Sequence, residues 1–150
     1  MNFDKRLMIE TVGLFAVVLS LIFLGVEVQQ NSLLMRSQIR DSVTDKQIAF
    51  YSILGENADA SEIISRGLLG SELSPAESSQ FLHWSNAALR MWENEWFQYQ
   101  NGLFDEDEFT PRMEVWRGMT QFPGFRNMWN TRSNSYSPGF RDQMDRILNN

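Results

Sequence analysis

The stretch GLFAVVLSLIFLG, Gly13 to Gly25, lies inside a run that carries no charge between Glu10 and Glu27. Those sixteen residues, Thr11 to Val26, rise about 24 Å as a helix, short of the roughly 30 Å hydrocarbon core of a bilayer. Extending the window to Leu7 through Val28 gives about 33 Å and leaves Glu10 and Glu27 near its two ends. A carboxylate there reaches the headgroup region, where it costs far less than at the bilayer centre. The pattern therefore predicts one membrane-spanning helix over about 7–28. Signal-peptide cleavage is not expected: with Gly25 at the cleavage site, Phe23 would stand where a small residue is required. A buried helix of a soluble protein is a poor fit too, because the run is apolar on nearly every face.

The rest of the chain sets bounds on partners and chemistry. Of 150 residues, 13 are Lys or Arg and 19 are Asp or Glu, a formal net charge of −6. The Arg residues are scattered from Arg6 to Arg146 with no basic block, so no nucleic-acid partner is expected. There is no Cys, which excludes disulfides, thiolate metal sites and cysteine nucleophiles. Lys5 and Arg6 before the apolar run nearly balance Arg36, Arg40 and Lys46 after it, so charge alone leaves the orientation open. Within the span, Gly13, Ala16 and Ser20 fall within about 60° of one another. They form a narrow small-residue strip where a second helix could approach.

Beyond the span no strand pattern competes, and the fold class is all-α: one amino-terminal transmembrane helix running into a long helix, then a small aromatic-rich helical domain. The expected divisions are an anchor over 1–28, a membrane-exit helix over 29–57 and a helical bundle over 58–150. Leu34, Met35, Ile39, Val43, Phe50, Ile53 and Leu54 keep helical spacing in the second segment, Asp41–Asp45 offers a break, and Gly55 ends it. Three capping-box patterns, Asp59 with Glu62, Ser74 with Glu77 and Asp105 with Glu108, predict helices over 60–69, 75–101 and 106–121. Pro75 suits the first helical position, and Phe104 with Phe109 suits a hydrophobic staple. Leu82, Ser85, Leu89, Trp92, Trp96, Tyr99 and Leu103 form a stripe widened by Phe81, Trp84, Ala88 and Met91, broad enough to need two neighbours. PGFR occurs at Pro123 and again at Pro138; the flanking sequences barely match, so these are two helix starts and not a repeat.

No residue set matches a catalytic or metal-binding template, and no cofactor is expected. Asp105-Glu106-Asp107-Glu108 lacks the Gly and Glu that a calcium loop needs at its sixth and twelfth positions, where Thr110 and Trp116 stand. Its charges suit a helix start instead. His83 is the sole histidine, with no second ligand or nucleophile motif beside it. Gly67 and Gly70 read as a helix end, not a phosphate loop. Glu95 continues the Trp84-Ala88-Met91 face, and a carboxylate turned into a core needs a partner. Arg66, Arg112 and Arg117 are available for a structural ion pair. The alternative is a ligand site built from Glu95, Trp92, Trp96 and Arg66.

LIFLGVEVQQNSLLMRSQ at the membrane exit, RGL at Arg66, LSPAE at Leu73, WENEWFQYQNGLFDEDEF from Trp92, and FPGFRNMW with SPGFRDQMD in the tail give the chain a recognisable order of motifs. In that order it resembles an uncharacterised group of small bacterial proteins with one membrane helix and a helical carboxyl-terminal domain. The resemblance implies the bacterial inner membrane and favours a cytoplasmic domain, though Gln29 and Gln30 stand where a basic residue is usual; it implies no activity. The leading expectation is a non-catalytic interaction module that docks on another membrane protein or on itself, with membrane lipid around its anchor. A tethered domain for an apolar ligand or lipid is the alternative. An enzyme would have only His83 and Glu95 as an acid–base pair.

Overall fold

The computed structural model describes residues 3–149; the expected domain ends at residues 1–2 and 150 lie outside them. Six α-helices and one short 3-10 turn make up the described chain, with no strand among the described residues. They are α1 (Phe3–Gly55), α2 (Ala58–Leu68), α3 (Pro75–Gln100), α4 (Glu106–Met119), α5 (Pro123–Arg132) and α6 (Pro138–Leu148), with the 3-10 turn at Ser133–Ser135. Asp41–Asp45 is helical, so α1 does not break there. The chain divides into two compact units, the first ending at Gln38 and the second starting at Ile39. The second unit therefore takes in the last turns of α1.

In the first unit α1 is long and apolar enough to cross a membrane, and none of its most apolar window is buried. Leu14, Phe15, Leu19, Ile22 and Phe23 all stand exposed. The two hydroxyls of the apolar run close on the helix itself. Thr11 Oγ1 donates to the Leu7 carbonyl at 2.8 Å, and Ser20 Oγ to the Ala16 carbonyl at 2.8 Å. Arg6 pairs with Glu10 at 2.9 Å one turn away. Hydroxyls that close on their own backbone need no water.

The second unit is organised on α3. Leu89, Trp92, Phe104, Phe109, Trp116, Phe125, Met128, Trp129, Phe140 and Met144 form a continuous core. Its rings interlock: Trp92 stacks on Trp116 at 5.5 Å, Phe109 and Phe140 meet Trp116 edge-on at 5.3 and 5.9 Å, and Tyr99 lies flat on Phe109 at 4.2 Å. The tail is fastened to α3 by polar contacts at the rim. Tyr136 donates to Asn86 at 2.9 Å, Arg90 lies 4.5 Å over the Tyr136 ring, and the Ser137 amide donates to Glu93 at 2.7 Å.

The helix starts follow the local chemistry, with two corrections. Ser74 and Glu77 close a full capping box ahead of Pro75. α2 begins at Ala58, earlier than its acidic pattern suggests, because extended Asn57 accepts from the Ala60 amide at 3.0 Å. Asp59 then sits in the first turn, where its charge faces the helix dipole. At α4, Asp105 occupies the cap position without making the capping bond, and Glu108 reaches Arg40 at 2.8 Å instead of folding back. Phe104 and Phe109, both buried, make the expected staple at 6.2 Å. α2 ends as Gly70 adopts φ +73 and the Ser71 amide bonds the Arg66 carbonyl at 3.0 Å. Gly67 has a different task. A β-carbon there would strike the Phe81 ring, and one on Gly124 would strike the Gly67 carbonyl, so α2 and the start of α5 touch backbone to backbone.

Candidate functional site

Glu95 is brought into the interior by the register of α3: its neighbours on the helix, Trp92 and Ala88, are buried, and Glu95 itself is 1% exposed. Its partner is not an arginine. Gln47, on the last turns of α1, donates from Nε2 to Glu95 Oε1 at 2.6 Å. The Gln47 carbonyl oxygen accepts in turn from Arg112 Nη1 on α4. The amide thus stands between carboxylate and guanidinium and bridges them. Glu95 Oε2 is buried without a hydrogen-bond partner. Burial pushes the Glu95 carboxyl above its ordinary value, against the hydrogen bond from Gln47, the charge of Arg112 and the pull of the Trp116 indole N–H.

Of the other residues expected near Glu95, the two tryptophans neighbour it on α3, while Arg66 and Arg117 are engaged elsewhere. Arg66 bonds Glu77 and pairs with Glu62 at 3.6 Å, locking the end of α2 to the start of α3. Hydrogen bonds from Ser74, and then from Arg66, hold the Glu77 carboxyl below its usual range. Arg117 pairs with Glu114 at 2.9 Å. Trp92 lies against Trp116 and Phe125 at 5.5 and 5.4 Å, and Trp96 against Phe109 at 5.8 Å. Trp92 is buried in the core and Trp96 packs half-buried against it. Arg66 therefore does not join Glu95, Trp92 and Trp96 in one site. Gly13, Ala16 and Ser20 lie on the exposed helix of the first unit, where a β-carbon on Gly13 would touch nothing within 4 Å.

Open space occurs beside Trp84, at the edge of the α3 stripe. A groove of about 570 Å³ runs between the end of α1, α2 and α3, walled by Phe50, Ile53, Leu54, Ile63, Ile64 and Trp84. Phe50 stacks on Trp84 at 5.2 Å, and exposed His83 lies on the rim. The volume is within the range of small-ligand sites. Among the described residues no three His, Asp or Glu side chains come together to hold a metal.

Gln47 is the residue that spacing arguments pass over. Val43, Gln47, Phe50 and Leu54 share one stripe of α1, and a glutamine inside an apolar stripe is the signal for a buried polar partner. No known protein family, curated protein or solved structure matches the chain.

Proposed function

We propose that this protein is a membrane-anchored helical interaction module of the bacterial inner membrane, an accessory or assembly subunit that docks on a larger membrane complex or on a second copy of itself. The observation that carries this reading is α1: its apolar window is wholly unburied, and its hydroxyls are satisfied within the helix. A surface of that kind is stable when lipid covers it. The span is residues 7–28, crossed once, with the bundle on the cytoplasmic side. The Gly13, Ala16 and Ser20 strip is the place in the span where a partner helix fits, since no described part of this chain packs on Gly13. The non-catalytic reading rests on residue types: one histidine, no cysteine and no nucleophile motif.

One observation favours a second reading. The 570 Å³ groove is large enough for a small apolar ligand or an acyl chain. Native mass measurement after gentle detergent extraction of the tagged protein separates the two. A stoichiometric membrane protein, or a discrete homo-oligomer, supports the interaction module. A monomer retaining one lipid-sized mass that Ile63→Trp abolishes supports the ligand reading.

A further inference from the structure

Three grooves of the second unit are lined on one side by the last turns of α1. Besides the groove of about 570 Å³, one of about 450 Å³ lies among Lys46, Phe50, Ala87 and Met91. A third, of about 270 Å³, lies among Arg40, Val43, Phe104, Glu108 and Arg112. Between these gaps the end of α1 is held by a few side chains: buried Val43 and Gln47, the Phe50–Trp84 stack and the Arg40–Glu108 pair. The crossing of α2 and α5 at Gly67 and Gly124, by contrast, is backbone on backbone. A segment held by side chains across open space is the part of a domain that can lift as a unit.

Its central fastening is an amide between two charged groups. Gln47 gives its N–H to Glu95 and its carbonyl to Arg112, so removing Gln47 leaves both without this partner. The remaining Glu95 oxygen already has none. We infer that residues 39–55 of α1 form a strap clasped by the Glu95–Gln47–Arg112 relay, closed when Glu95 holds a proton and lifting when Glu95 carries its charge. In the neutral acid Oε1 still accepts from Gln47, and Gln47 still accepts from Arg112, so both bonds of the relay are kept. The ionised acid leaves a full negative charge at a site only 1% exposed. Lifting the strap returns that charge to water.

The groups facing Glu95 are Gln47 from α1 and Arg112 and Trp116 from α4. All three favour the charged form, and desolvation outweighs them. Among the strap's own cations, Arg40 is paired with Glu108 and Lys46 lines the second groove. On α3, Glu93 is engaged by the Ser137 amide and by Arg90. The closed strap thus binds the proton more tightly than the lifted one. The lifted-to-closed ratio rises about tenfold per pH unit between the ordinary glutamate value of 4.5 and the raised value of the closed form.

The chain has no Cys, so a pair of spin labels can be placed cleanly. Ile48→Cys on the strap and Phe97→Cys on α3 are both about 60% exposed. Pulsed dipolar spectroscopy on the full chain in detergent micelles should give one short separation at about pH 4.5 and a growing longer component towards about pH 8. E95Q should keep the short separation at every pH, and Q47A should show the longer component at both. Circular dichroism on each variant confirms that the helices remain. A wild-type distribution that does not move with pH, a pH response that persists in E95Q, or a Q47A distribution identical to wild type overturns the strap.

Discussion

Gly124 and Gly139 hold the same place in two PGFR quartets, and the structure asks different things of them. A β-carbon on Gly124 meets the backbone of Gly67, whereas one on Gly139 makes only an ordinary contact with Trp96 Nε1 at 3.6 Å. Gly124→Ala is therefore expected to cost at least about 1–3 kcal/mol, since backbone cannot yield as a side-chain tip does. Gly139→Ala, in a helix with negative φ, should gain about 0.5–1 kcal/mol. Chemical unfolding of the two variants side by side checks this, and equal effects would contradict the crossing. Glu95 supplies the second prediction. Because burial raises its value in the folded state, the folded form keeps the proton longer than the unfolded form. This group's stabilising contribution is full below the ordinary glutamate value and declines as pH rises through the raised one. E95Q should melt higher than wild type at neutral pH and lose that decline; a lower neutral-pH melting point would show that the charge itself holds the core together.

The helices were legible in the sequence wherever a start signal stood alone. Ser74 followed by Pro75 and Glu77 admits one reading, and α3 begins where that signal places it. Asn57 and Asp59 are both good caps two residues apart, and local sequence does not say which becomes extended once α1 has ended. The structure makes Asn57 the cap, so Asn57→Ala should lower stability by about 1 kcal/mol and Asp59→Ala by about 0.3–1 kcal/mol, through the dipole alone. Ser74→Ala should cost no more than Asn57→Ala, because it removes only the Glu77 amide's bond to Ser74 Oγ at 3.4 Å, while the Ser74 amide keeps its bond to the Glu77 carboxylate at 2.7 Å. Thermal melts of the three variants test the order. The α3 stripe foretold a helix buried on a wide face but not what covers it. Trp92 and Trp96, which sequence offers equally as ligand walls, are consumed by Trp116, Phe125 and Phe109. Gln47 and Arg112 meet across 65 positions, and no local pattern encodes that. What was readable was the need of Glu95 for a partner. Arg66, one of the cations in the sequence-based set, is taken by Glu77 because the two helix ends meet there.

At the scale of the molecule, two kinds of surface belong to one chain. From Leu7 to Met35 the large apolar side chains of α1 are exposed, while from Ile39 the apolar mass is gathered into a ring-filled core. Under the proposed role as a tethered docking module, lipid surrounds the first and water the second. The absence of Cys makes the direct test simple. Single cysteines placed one at a time from Leu7 to Arg36, in membranes of cells expressing the full chain, are challenged with a membrane-impermeant maleimide before and after permeabilisation. Protection throughout the middle of the 7–28 window, with reactivity at Arg36 gained only on permeabilisation, is the result this account predicts. Labelling at Leu19 as ready as labelling at Arg36 would contradict it, because the central stretch would then lie in water.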